Sequence, residues 1–219
     1  FIDYLAFISF FPQLVAGPVE RAATLLPQME TDKVFKWKQF CSGMQLALWG
    51  AFKKVWIADM VAMYVDRIFL LEAPSSAMIW AATLGFTVQI LADFSGYTDI
   101  ARGTARMLGF ELMLNFDHPY LARNPSEFWR RWHISFSTWI RDYLYIPLGG
   151  SRGGEGTRLK ASYGAMLISG LWHGASWTFV LWGAYHATLL AGYKYIGKWI
   201  PREIRKANWM APFSVSLMF

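Results

Sequence analysis

The chain has 219 residues, 55% of them hydrophobic, with 12 Trp, 17 Phe and 10 Tyr and a formal net charge of +6. That aromatic load exceeds what soluble domains carry and marks a membrane protein, although basic stretches between the apolar runs hold the mean hydropathy to +0.25. The single cysteine, Cys41, excludes an internal disulfide framework and any multi-cysteine metal site, and the positive charges flank apolar runs instead of gathering on one face, which fits contact with anionic headgroups and argues against a nucleic-acid partner.

Phe1 to Val19 is apolar but interrupted by Asp3, Pro12, Gln13, Gly17 and Pro18. It predicts the end of a membrane helix running into a broken or re-entrant turn, since proline removes a helix donor and restricts its predecessor. Arg21 to Phe40 is a polar, basic, partly helical connection punctuated by Pro27. Phe40 to Leu71 is long enough to span, yet it contains Lys53, Lys54, Asp59, Asp66 and Arg67. Its lysines must therefore snorkel or line a polar interior. After Pro74-Ser75-Ser76, Ala77 to Ala92 predicts a membrane helix that reaches full thickness only if it extends to Tyr97. Asp93-Phe94-Ser95-Gly96-Tyr97-Thr98-Asp99 then places two carboxylates beside hydroxyls. With Arg102 and Arg106 downstream, this stretch reads as an ion-paired structural node before an acid-base pair.

Asn124-Pro125-Ser126-Glu127 has the form of a helix start, and Pro147 with Gly149-Gly150 marks a stop. One helix is predicted between them, at the interface or lining a cavity. At 100° per residue, Phe128, Trp132, Phe136, Trp139 and Tyr143 share one face, and Arg130, His133, Ser137 and Arg141 the other. His118 reads as a loop histidine. Gly149 to Gly156 holds five glycines in eight residues but lacks the Lys-Ser/Thr ending of a phosphate loop, so it reads as a flexible connection.

From Ala161 to Gly192 there is no Asp, Glu, Lys or Arg, and two histidines, His173 and His186. As one helix this stretch would reach roughly 48 Å, and both its ends are basic, so a break near Gly170, Gly174 or Gly183, or a strong tilt, is expected. An imidazole at membrane depth is costly unless it faces protein, water or substrate, which makes it a functional candidate. The competing reading is a core histidine bonded to a neighbour. Gly170 and Gly174 form a small-xxx-small pair, and Ser169, His173 and Ser176 fall on one helical face. The chain begins at Phe1 and ends inside an apolar run, Trp209 to Phe219, as a piece of a longer polytopic protein would.

The runs FFPQLVAGPVER, DFSGYTDIARGTARMLGF, NPSEFWRRWHISFSTWIRDYLYIPLGG and SGLWHGASWTFVLWGAYH, in this order, resemble the membrane-bound O-acyltransferase family and its bacterial alginate O-acetyltransferase branch. The resemblance implies an all-α, polytopic integral membrane protein with spanning and re-entrant or interfacial helices. Residues 1–219 would form one partial membrane domain, without the family's preceding helices and C-terminal end. It also implies a multi-pass place in the bacterial inner membrane and transfer of an acetyl group from cytoplasmic acetyl-CoA towards an exported polysaccharide, with a periplasmic partner protein. The family's Trp-His-Gly histidine falls on His173 and its Trp-His-x-Ser histidine on His133. The asparagine that the family carries ahead of the first of these motifs has no counterpart here, where Lys160-Ala161-Ser162 stand.

O-acylation needs a base near a hydroxyl and donors for an oxyanion, and neutral imidazole near pH 7 suits the first task. His173 is the candidate general base. His133, with Ser137 one turn on, is the candidate for orienting the acceptor or stabilising developing charge, and Arg130 or Arg141 for meeting donor phosphates. Two readings of other classes remain, a transporter or channel relaying protons through its histidines and a non-catalytic scaffold. Release of CoA from acetyl-CoA separates the first reading from both.

Overall fold

The structure, a computed structural model, describes residues 1–14, 17–197 and 199. Among these residues it is helix and turn without strand, as predicted. The run Trp209 to Phe219 and the basic residues from Lys198 to Lys206 lie outside the described residues. The chain divides into two compact units, Phe1–Asn115 and Phe116–Met218.

In the first unit, α1 (Ile2–Ser9) gives way at Pro12 to a 3-10 turn over Phe11–Gln13, the predicted break. Helix α2 (Ala22–Glu30) corrects the reading of Pro27 as punctuation, because the proline lies inside it. Tertiary contacts outweigh the lost hydrogen bond. Leu25 is fully buried with Ala105 and Leu112, Gln28 clamps the Glu111 backbone through its carbonyl (3.0 Å) and its N–H (2.9 Å), and the Thr31 hydroxyl donates to the Pro27 carbonyl at 2.8 Å.

Helix α3 (Trp37–Phe52), a π-helical turn over Lys53–Ala58 and α4 (Asp59–Phe69) run on without interruption and pack antiparallel to α5 (Ser76–Met107), whose first turn is capped by Ser75. The two backbones touch where Gly43 and Gly50 meet Gly103 and Gly96, positions at which a β-carbon would collide with the opposite carbonyl. Helix α5 does extend past Tyr97. Among the described residues it alone is long and apolar enough to cross a membrane, where the resemblance implied several spanning and re-entrant or interfacial helices. Lys53, Lys54 and Asp59 interrupt the α3–α4 stretch, and α8 begins with Glu155, Arg158 and Lys160.

The wide π turn offers both lysines to α5. Lys53 Nζ lies 2.7 Å from Asp99 Oδ2 and donates to Ser95 Oγ at 3.0 Å, and Lys54 Nζ meets Asp93 Oδ1 at 2.8 Å and Asp59 Oδ1 at 2.7 Å. The carboxylates are an ion-paired node as read, but with different principal partners. Arg102 approaches Asp99 only to 3.4 Å, and Arg106 pairs with Glu111 at 3.0 Å. The Lys53 and Asp99 side chains are largely buried, at 15% and 16% exposure. Lys53→Met is accordingly expected to cost roughly 3 kcal/mol, the low end for stripping one partner from a buried pair because Arg102 remains. Thermal melting in detergent checks it, with Lys53→Met/Asp99→Leu expected to melt above the single variant.

The second unit contains α6 (Pro125–Arg131), α7 (Ile134–Ile140), a π turn over Arg141–Tyr145, α8 (Glu155–His173) and α9 (Trp177–Ile196). The long apolar stretch breaks at Gly174, one of the three glycines expected, and Ser176 caps the new helix by accepting from the Thr178 N–H. This removes Ser176 from the face of His173. Helices α8 and α9 form an antiparallel hairpin. Gly170 lies against the Phe179 carbonyl, Gly183 against that of Met166, and Tyr163 and Thr188 share a hydrogen bond of 2.8 Å. Gly183→Ala would raise intrinsic helix propensity by about 1 kcal/mol. Its β-carbon would meet the Met166 carbonyl, and such overpacking costs roughly 1–3 kcal/mol. The expected result is a lower melting temperature despite the better helix former.

Candidate active site

The histidine-bearing segments are built around an aromatic anchor. At the start of α6, Asn124 Oδ1 accepts from the Glu127 N–H at 2.8 Å, Pro125 takes the first helical position, and Glu127 accepts from the Arg123 N–H at 3.0 Å. The helix stops after Arg131. Trp132 is extended and its indole is fixed by stacking on Phe128 (5.5 Å) and Tyr120 (6.2 Å), with Phe116 edge-on at 5.0 Å. His133 follows in the left-handed region with φ 44°, and α7 begins after it.

The predicted single helix over 124–147, with its continuous polar stripe, is therefore corrected to two short helices and a π turn. The break has a local cause. Burial of Trp132 among three rings turns the chain, and Ser137 Oγ donates to the Trp132 carbonyl at 3.0 Å, satisfying an acceptor that the broken ladder leaves open. Left-handed backbone at a side-chain-bearing residue costs roughly 1–2 kcal/mol, and such positions cluster where function fixes them.

The break turns His133 inward. It is 5% exposed, and its ring stacks on Phe136 at 5.0 Å. Phe136 also meets Trp172 at 4.5 Å and His173 edge-on at 6.1 Å, so one phenyl ring touches both candidate imidazoles. His173 ends α8 at the break before Gly174 and packs against Trp182 (5.2 Å) and Phe179 (6.1 Å), while the residue keeps an exposed side. Trp182 leads on to His186 at 4.5 Å, which Trp129 approaches at 5.2 Å. His186 is 1% exposed, inside this aromatic row.

Burial first, and the neighbouring His173 second, push the His133 imidazole down to about 3. It is neutral at pH 7, with one N–H to donate and one nitrogen to accept. A buried neutral imidazole beside a second, accessible one can orient a hydroxyl or donate to an oxyanion while its neighbour moves a proton.

The other predicted site residues fall elsewhere. Ser137 is committed to the Trp132 carbonyl. Arg130 and Arg141 are exposed, and Arg141 Nε donates to Asp142 Oδ1 at 2.8 Å. His118 is exposed beside Asp117 at 3.1 Å, as a loop histidine should be. Phe136 and Trp182 were not singled out as site residues. The only sequence signal for Trp182 is its position one turn before His186 beyond a glycine break.

The family model described as MBOAT, membrane-bound O-acyltransferase family, matches residues 1–218. The chain is 44% identical over 213 residues to a probable alginate O-acetylase, AlgI, of Azotobacter vinelandii, covering 97% of this chain and 42% of that protein. It is 41% identical over 195 residues to a peptidoglycan O-acetyltransferase of Helicobacter pylori, covering 87% of this chain and 37% of that one. A teichoic acid D-alanyltransferase of Bacillus subtilis matches at 26% over 207 residues, covering 89% and 52%. The chain thus spans roughly half the length of these relatives or less.

Proposed function

Because the chain belongs to the membrane-bound O-acyltransferase family, we propose that it is the histidine-bearing part of an enzyme that acetylates hydroxyls of an exported, alginate-like polysaccharide. The observation that carries the reading is the meeting of His133 and His173 on the single ring of Phe136. His173 is the general base. It takes the proton of the acceptor hydroxyl as that oxygen attacks the acetyl thioester carbonyl, the tetrahedral oxyanion collapses, the C–S bond breaks, and the proton passes to the departing thiolate. Neutral His133 donates its N–H to the oxyanion or holds the acceptor oxygen.

The donor assigned here is acetyl-CoA on the cytoplasmic side, with the protein multi-pass in the bacterial inner membrane and a periplasmic acetyltransferase or export protein as partner. Alginate leads as acceptor on the 44% identity to the Azotobacter protein, with peptidoglycan next on the 41% identity to the Helicobacter protein. The test is CoA release by full-length protein in proteoliposomes supplied with acetyl-CoA and a panel of both polymers. Acceptor-dependent release supports the reading. Solute movement without CoA release would replace it with a transporter.

A further inference from the structure

At the basic end of the α8–α9 hairpin lies a cavity of about 460 Å³, lined by Arg158, Lys194, Tyr145, Tyr193, Tyr195 and Ser162 among others. Fifteen residues of α8, about 22 Å, separate Arg158 from His173, so the cavity is distinct from the acyl-transfer site proposed above. Two cations and several hydroxyls converge here, and among the described residues the acidic group paired with either cation is Glu155, 3.7 Å from Arg158 and itself 57% exposed. The balance favours an anion that can accept several hydrogen bonds.

The surroundings are amphiphilic. Leu190 and Ala191 form part of the cavity wall, and Leu148, Ile196 and Trp199 stand exposed close by in the sequence at 47%, 60% and 88%. Tyrosine and tryptophan concentrate at headgroup depth, and basic pockets between membrane helices hold phosphate headgroups. We propose that this cavity is a phosphate-ester site, occupied by the headgroup of an anionic phospholipid whose acyl chains run along the exposed apolar flank.

Native mass spectrometry of the full-length protein in mild detergent, with phosphatidylglycerol and phosphatidylcholine as probes, tests it. Wild type should retain phosphatidylglycerol selectively, and Arg158→Gln/Lys194→Gln should bind it about thirtyfold more weakly, the effect of two cations near a charged surface. Arg158→Lys should keep it. Ala191→Phe fills the cavity with both cations in place and should also reduce retention, which guards against a folding defect in the double variant. Equal retention by wild type and both test variants overturns the site. Displacement of the lipid by CoA or inorganic phosphate, through the same two cations, keeps the phosphate site but overturns the lipid as its occupant.

Discussion

His173→Ala in the full-length protein is expected to lower acetyl transfer by about 10² to 10⁴-fold, the usual worth of a positioned general base. Insertion and folding should survive. The residue stands at the end of α8 with one side exposed, and the rings around it have other partners. Phe136 remains on Trp172 and Trp182 on His186. Loss of a base acting only in the transition state lowers kcat and kcat/KM together, whereas loss of a ground-state contact raises KM alone. Initial rates with labelled acetyl-CoA, alongside a melting curve, separate these outcomes. A variant that melts like wild type and still acetylates at a similar rate would remove His173 from the chemistry.

His133 should be nearly as sensitive, and its backbone supplies the control. Asparagine and glycine accept the left-handed conformation at φ 44° that alanine resists and a β-branched residue resists more. His133→Asn and His133→Gly are expected to keep the break after Trp132 and still lose about 10²-fold in rate, as for a missing oxyanion donor. His133→Val should lose melting temperature as well. The acid side offers an independent readout. A histidine held near 3 when folded and near its ordinary 6.5 when unfolded contributes fully above pH 6.5, and that contribution is lost as pH falls towards 3. His133→Asn should therefore flatten the decline of melting temperature below pH 6.5. An unchanged slope would mean that His133 is not the buried neutral group described here.

The helical class, a break at one of three glycines in the long apolar stretch, the start at Asn124 and the ion-paired node were legible because each rests on local chemistry: glycines between apolar runs, a side-chain cap followed by proline, carboxylates within an apolar setting. The partners of Asp93 and Asp99 were not. Helical spacing pointed to Arg102 and Arg106, while the lysines that pair with these carboxylates, Lys53 and Lys54, both lie in the π turn that follows α3, more than thirty residues earlier. Periodicity also misled at His133. A continuous 3.6-residue pattern puts His133 and Ser137 on a polar stripe, but burial of Trp132 among three rings outweighs the helical bonds at that point and sends the histidine inward. Both histidine motifs were readable, yet the ring that joins them was hidden, since a phenylalanine on an apolar face looks like any other core residue.

The claim that the two imidazoles serve one site is tested most directly by the acetyl-transfer rates of His173→Ala, His133→Asn and the double variant in the same full-length preparation. Groups that act as a unit are strongly non-additive. The double variant is expected to be no slower than His173→Ala alone. If the two losses multiply in full, the imidazoles act independently and the shared site is contradicted.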